Sequence, residues 1–311
     1  MTAPARRGPG AKAPAAARIP AFVNAKAGSA DKSLEALRDD PAFEVHETKP
    51  EDLTGAITAA VRGGAERILI CGGDGTIASA AATVAGTSAS LALLPGGTLN
   101  HFAKHLGIPT EPKDALLVAA TGIARRVDVG YVNDHLFLNT SSVGAYVTFV
   151  HARERMERWL GYHLASAAAS IRVLWRLPRF RVELEAEGEA RHYVTPMVFV
   201  GVGERKLTLG ALGARAEDGR RGLHVIVVRG RTRSSLMALA LEAASHRLRV
   251  WSYSPHADNV IVEQASIEMP RPMGNVAVDG ETVPMRAPLA YRIARDALSV
   301  IVPATPAKQP P

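Results

Sequence analysis

Three short clusters in this chain have the residue types and spacing to handle phosphate. Gly72-Gly73-Asp74-Gly75-Thr76 follows the apolar run Ile68-Leu69-Ile70-Cys71, Pro95-Gly96-Gly97-Thr98-Leu99-Asn100 follows Leu91-Ala92-Leu93-Leu94, and Asp279-Gly280-Glu281 comes late in the chain. A glycine-rich turn between a strand and a helix lets backbone N–H groups approach an anion, and the helix N-terminus adds partial positive charge. Neither the spacing of an ordinary P-loop nor that of the dinucleotide fingerprint is present. A carboxylate at Asp74 would repel phosphate unless a cation such as Mg²⁺ lay between them. Asp128 and Asp279 could join such a carboxylate network or cap turns. Thr76 and Thr98 offer hydroxyls to a phosphate or cap their helices, and Thr48 offers a third. Glu281 is a candidate proton acceptor in phosphoryl transfer, or an ordinary carboxylate beside an Asp-Gly hairpin turn. His101 and His105, four apart, have no glutamate between them and no third ligand in view, which favours a packed or solvated pair over a metal site.

These residues need elements to hold them. Ile19 to Asn24 predicts a strand opening into the small-residue loop Ala25 to Ser29, and Phe43 to Thr48 a second strand. Leu53, Ile57 and Val61 predict a helix over 50–62. With the two glycine turns, this repeated strand and helix alternation implies a parallel sheet with helices on both faces, which binds ligands beyond the carboxyl ends of its strands. From about Val127 the segments shorten and alternate, predicting an antiparallel β-rich region. Within it, 146–177 and 234–248 read as helices.

The chain has 311 residues, which favours two domains, and a formal net charge of +7, which suits an anionic partner. No aromatic-interleaved basic motif or zinc pattern supports nucleic acid as that partner. The single cysteine, Cys71, reads as a packed thiol in a reducing compartment. The first eighteen residues lack the apolar core of a signal peptide, and no run reaches the length of a membrane span. Arginines and tryptophans between His151 and Leu177 suit a helix resting on an anionic membrane surface, or one packed on the β-rich region with its arginines solvated.

From about Ile19 to Val302 the chain resembles the bacterial diacylglycerol kinase catalytic-domain family, soluble lipid kinases related to sphingosine kinases. The three clusters carry the resemblance in this order, supported by Asn24 to Gly28, Val127-Asp128-Val129-Gly130, Phe137-Leu138-Asn139 and Asp218-Gly219. It implies an α/β plus β-rich fold. An N-terminal three-layer α/β nucleotide-binding domain with a parallel sheet would span 18–130, and a C-terminal antiparallel β-sandwich-like domain with helices 131–285. A segment over 286–302 would return to the first domain, between tails at 1–17 and 303–311. The resemblance further implies ATP and Mg²⁺ as cofactors, with nucleotide contacts from Asn24, Gly28, Thr48, Gly72, Gly73, Asp74, Gly75, Thr76 and Thr98. It also implies Glu281 as the proton acceptor and a structural Mg²⁺ at Asp218, while the residues themselves point to Asp74 as an organiser of Mg²⁺ or a second candidate base, with Asp128 as a further metal ligand and Asp279 as a further catalytic carboxylate beside it. The acceptor would be a membrane lipid, diacylglycerol first. The enzyme would be cytoplasmic and peripheral on the inner face of the membrane, and a homodimer is compatible with it. An NAD kinase-like enzyme and a lipid- or nucleotide-binding regulator without transfer activity are the rival readings. The chain departs from the family pattern at Ala25, where a proline is usual, at His101, where an aspartate is usual, and at Arg220-Arg221-Gly222, which lengthens the segment after Asp218.

Overall fold

A computed structural model describes residues 18–23, 30–144, 180–186, 189–205, 215–216, 219–228 and 257–304. Asn24, Gly28, Asp218, the predicted tail 1–17 and the predicted helices 146–177 and 234–248 lie outside those residues, the arginine and tryptophan cluster with them.

Strands β1 (Ile19–Val23), β2 (Phe43–Glu47), β3 (Arg67–Gly72) and β4 (Ser90–Pro95) pair in parallel in the order β2-β1-β3-β4. The runs Ile68 to Cys71 and Leu91 to Leu94 are wholly buried, as a strand covered on both faces must be. The cover comes from α1 (Ala30–Arg38), α2 (Leu53–Arg62), α3 (Asp74–Val84), the short α4 (His101–His105) and α5 (Pro112–Thr121), with α2 against α3 and α1 against α5. Pro112 stands at the start of α5, where its missing N–H costs nothing.

Two long strands carry this layer into the rest of the molecule. In β16 (Leu289–Val302), Ser299 and Val300 pair in parallel with Ser90 and Leu91 of β4. Along its other edge β16 runs antiparallel to β5 (Ile123–Val132), from Tyr291 opposite Val132 to Val302 opposite Ile123, with an irregularity between Ala294 and Leu298 where Asp296 takes φ 52°. The first half of β16 also pairs with β13 (Gln264–Glu268), which continues into β8 (Phe180–Ala186) and β9 (Glu189–Thr195). The apolar stretch 298–302 predicted a strand of five residues; the strand has fourteen.

A second sheet, antiparallel throughout, has the order β12 (Ala257–Val262), β11 (Leu223–Val228), β10 (Met197–Val202), β7 (Thr140–Gly144), β14 (Met273–Val278), β15 (Glu281–Arg286). The short β6 (His135–Phe137) leads from β5 into β7. Between the sheets lies a second core of Phe137, Val143, Val198, Val225, Ile267 and Tyr291, among others. The Tyr291 hydroxyl, fully buried, meets Ser141 Oγ at 2.9 Å. The fold is α/β plus β-rich.

Candidate active site

The two glycine turns end neighbouring strands and touch through their backbones. Gly73 precedes α3 in an extended conformation with no side chain capping the helix, and the Gly96 N–H donates to the Gly72 carbonyl at 2.9 Å. A Cβ on Gly97 would stand 2.7 Å from Gly73 Cα, so a side chain there would force the turns apart. Asn100, at φ 49°, brackets Gly97: its Oδ1 accepts the Gly97 N–H at 3.0 Å and its Nδ2 donates to the Gly97 carbonyl at 2.7 Å. Asp74 has structural work too. Its carboxylate accepts the N–H groups of His101 at 3.3 Å and Phe102 at 3.5 Å, tying the first turn of α3 to the start of α4. Capping by Thr76 and Thr98 is overturned: Gly73 and Asn100 occupy the cap positions, and no side chain caps either helix. The Thr76 side chain lies on Gly72, and Thr98 is exposed. Thr48 extends the β1–β2 pairing, its N–H on the Val23 carbonyl at 3.0 Å and its hydroxyl on the His46 carbonyl at 3.2 Å.

The third cluster turns the corner between β14 and β15. Asp279 (φ 47°) and Gly280 (φ 95°) form a two-residue hairpin turn, which needs positive φ at both positions. The Asp279 carboxylate takes three backbone N–H groups, Leu138 at 2.7 Å on Oδ2 and Asn139 and Thr140 at 2.8 and 2.9 Å on Oδ1. Burial pushes its pKa up, against those three bonds, which favour the charged form. Asp279 therefore anchors the hairpin to the connection between β6 and β7; its carboxylate is spent on the fold and does not join a cleft network with Asp74. Glu281, the first residue of β15, is exposed, and its Oε1 lies where a Cβ of Gly75 would be. The hairpin thus lays a carboxylate directly on the first turn of α3.

Asp128 is likewise committed elsewhere. Arg221 grips it through Nε on Oδ2 at 2.8 Å and Nη2 on Oδ1, the Asp296 N–H donates to Oδ1 at 2.9 Å, and Arg221 reaches Asp296 Oδ1 at 2.8 Å. Burial would raise the Asp128 pKa, but the Arg221 and Asp296 bonds outweigh it and hold the carboxyl below its ordinary value. This corrects Asp128 as a metal ligand alongside Asp74, since its oxygens already serve a guanidinium. Among the described residues, no group of three or more His, Cys, Asp or Glu side chains gathers to hold a metal ion. Arg221, which looked like part of an insertion, is the residue that pins β5 to the irregular turn of β16.

Two histidines are held neutral beside arginines. His224 Nδ1 accepts the Arg205 N–H at 3.0 Å, and His105 Nε2 faces Arg215 Nη1 at 3.4 Å. Burial, with help from the arginines, lowers each imidazole from 6.5 to about 4. Between those values the unfolded chain binds more protons than the native one, so this stability is full above pH 6.5 and falls as the pH drops towards 4. Going from pH 7 to pH 5 is expected to remove about 2 kcal/mol per histidine. Urea unfolding midpoints at the two pH values measure it, and an unchanged midpoint refutes it.

Residues 18–132 match the family model for the diacylglycerol kinase catalytic domain. Among curated proteins, the "Probable lipid kinase YegS-like" protein of Pseudomonas putida is 37% identical over 153 residues, 47% of this chain and 50% of that protein. The "Diacylglycerol kinase" of Mycobacterium tuberculosis is 31% identical over 142 residues, 43% of this chain and 45% of that one. The chain thus spans about half the length of these curated relatives. A crystal structure of a diacylglycerol kinase from Bacillus anthracis superposes with a TM-score of 0.65 at 20% identity, covering 93% of this chain and 98% of that one, a likeness of fold.

Proposed function

We propose, from the diacylglycerol kinase catalytic domain that residues 18–132 carry, that the chain is a lipid kinase moving the γ-phosphate of ATP to a lipid hydroxyl, with diacylglycerol as acceptor. The observation that carries this reading is the Glu281 carboxylate lying on Gly75 at the start of α3. Phosphoryl transfer needs an in-line approach, shielding of phosphate charge and a base near the attacking alcohol.

The residues fit the nucleotide. The paired turns bring bare backbone together, because a side chain at Gly97 would collide with Gly73, and no side chain caps the start of α3. They also fit one Mg²⁺ held jointly with phosphates. Asp74 is the carboxylate in the turns, its oxygens are engaged among the described residues by two long bonds, and Mg²⁺ commonly takes one or two carboxylates plus substrate oxygens. When bound, the ion would neutralise charge on the phosphates. Glu281 would accept the proton of the lipid hydroxyl, and Asp279 would hold Glu281 at its station. A net charge of +7 supports work at an anionic membrane surface, and among the described residues no helix is long and apolar enough to cross one.

Purified protein with labelled ATP, Mg²⁺ and lipids in mixed micelles, beside free NAD, tests the reading. Mg²⁺-dependent label in diacylglycerol is the expected result. Label in NAD alone overturns it, and nucleotide binding without transfer to any acceptor favours a regulator.

A further inference from the structure

Arg221 stands in the turn that leads into β11 of the second sheet, yet its guanidinium serves two carboxylates of the first. It grips Asp128 of β5 in a fork and reaches Asp296 in the irregular turn of β16. Asp128 is the inner member, its side chain only 2% exposed, whereas that of Asp296 is 52% exposed. A fork on a buried carboxylate fixes direction as well as distance. Without the guanidinium, a buried carboxylate would be left facing a second one, and the strands that carry them would part.

Each side of this latch leads to one half of the site. On the side of the second sheet, the Gly222 carbonyl takes the Gly203 N–H at 2.8 Å, and the Val202 N–H donates to the Asn139 carbonyl at 3.0 Å. The Asn139 N–H belongs to Asp279, in the turn that bears Glu281. On the side of the first sheet, Ala297 follows Asp296, and its carbonyl takes the N–H of Gly86, just past the end of α3, at 2.8 Å. That is the helix whose Gly75 lies under the Glu281 carboxylate. Asp128 closes the circuit along β5, because Gly130 pairs with Phe137, and the next residue, Leu138, gives its N–H to Asp279. Arg221 therefore sits where the supports of Glu281 and the supports of α3 meet.

We propose that Arg221 is a positioning residue for phosphoryl transfer: by tying Asp128 and Asp296 to the turn before β11, it sets how closely the hairpin bearing Glu281 approaches the first turn of α3. The inference rests on the lipid-kinase reading for the reaction that is served, though not for the geometry that is fixed.

Single-turnover transfer, an ATP titration and amide hydrogen exchange on the full chain test it. Arg221→Ala is expected to lower transfer by about tenfold to a hundredfold, the scale of an ångström's misplacement at the reacting centre, with ATP affinity retained. The amides of Leu138, Asn139 and Thr140 should exchange faster, while those of β1 and β3 keep their protection. Arg221→Lys should recover only part of the transfer, because an ammonium has no fork. Free guanidinium, added to Arg221→Ala below denaturing concentrations, should restore more than the same amount of sodium ion. In a Glu281→Gln background Arg221→Ala should cost no further transfer, since both changes act through one carboxylate. Should Arg221→Ala fold poorly, Asp296→Asn cuts one arm of the latch with a residue at ease at φ 52°, and is expected to move transfer and exchange the same way by less. Unchanged transfer in whichever variant folds overturns the proposal. So does faster exchange spread evenly over both sheets, or a further loss in the Glu281→Gln background. Faster exchange confined to 138–140, in a protein that labels no lipid, would sustain the latch and sink the kinase reading.

Discussion

Glu281→Gln is expected to lower turnover by a factor of about 10² to 10⁴, the range that a positioned base contributes, while ATP affinity stays near its original value. The amide has the carboxylate's size and can keep its place over Gly75, but it cannot take up the proton that the lipid hydroxyl must release. Because Glu281 is exposed at the start of β15, the change should cost little stability, within about 0.5 kcal/mol. Single-turnover transfer and an ATP titration on the same preparation separate the two effects. Unchanged turnover would remove Glu281 as the base, and a parallel loss of ATP affinity would reassign it to holding the nucleotide or its metal.

Asp279→Ala is expected to destabilise the protein by about 3–5 kcal/mol, because three backbone N–H groups lose their acceptor in a place where water cannot easily replace it. Alanine also tolerates the left-handed backbone at φ 47° less well than aspartate does. Asp279→Asn should fall between. Its oxygen can still serve Asn139 and Thr140, whose bonds share Oδ1, but its amide nitrogen then points a donor at the Leu138 N–H. Both variants should lose transfer activity in proportion to how far the hairpin slips, since Glu281 is the next residue but one. Urea unfolding gives the energies, and a loss below about 0.5 kcal/mol in the alanine variant would show that the clamp contributes nothing.

Much of the first sheet was legible because its signals are local. Apolar runs of strand length, glycines at their ends and Leu53, Ile57 and Val61 at helical spacing need no distant partner to be read. The Asp-Gly hairpin was equally plain, its turn chemistry being written in two residues. The partners of the carboxylates were not legible. Local sequence shows Asp74 only as a charge that would repel phosphate without a cation, yet it meets N–H groups of the other glycine cluster's helix, and Asp279 is held by peptides about 140 residues earlier. Asp128 pairs with Arg221, and nothing in local spacing links an aspartate on one strand to an arginine in a later turn. β16 was read short because Arg292, Arg295 and Asp296 interrupt its apolar pattern, and the irregularity at Asp296 shifts the alternation. The meeting of Glu281 with Gly75 followed only from the family resemblance, never from periodicity.

The placement of β16 also sets an order of events during synthesis. Ser90 of β4 and Ser299 of β16 share a hydroxyl contact across 209 residues of chain, so the first sheet lacks a strand until nearly everything described has been made. At translation rates of about 5–20 residues per second, β4 waits about 10–40 s for its neighbour. Through that interval one edge of a mostly apolar strand stays open to pairing with other nascent chains. The β14–β15 hairpin, which lays Glu281 on Gly75, is made just before β16, so the two halves of the proposed site come together late.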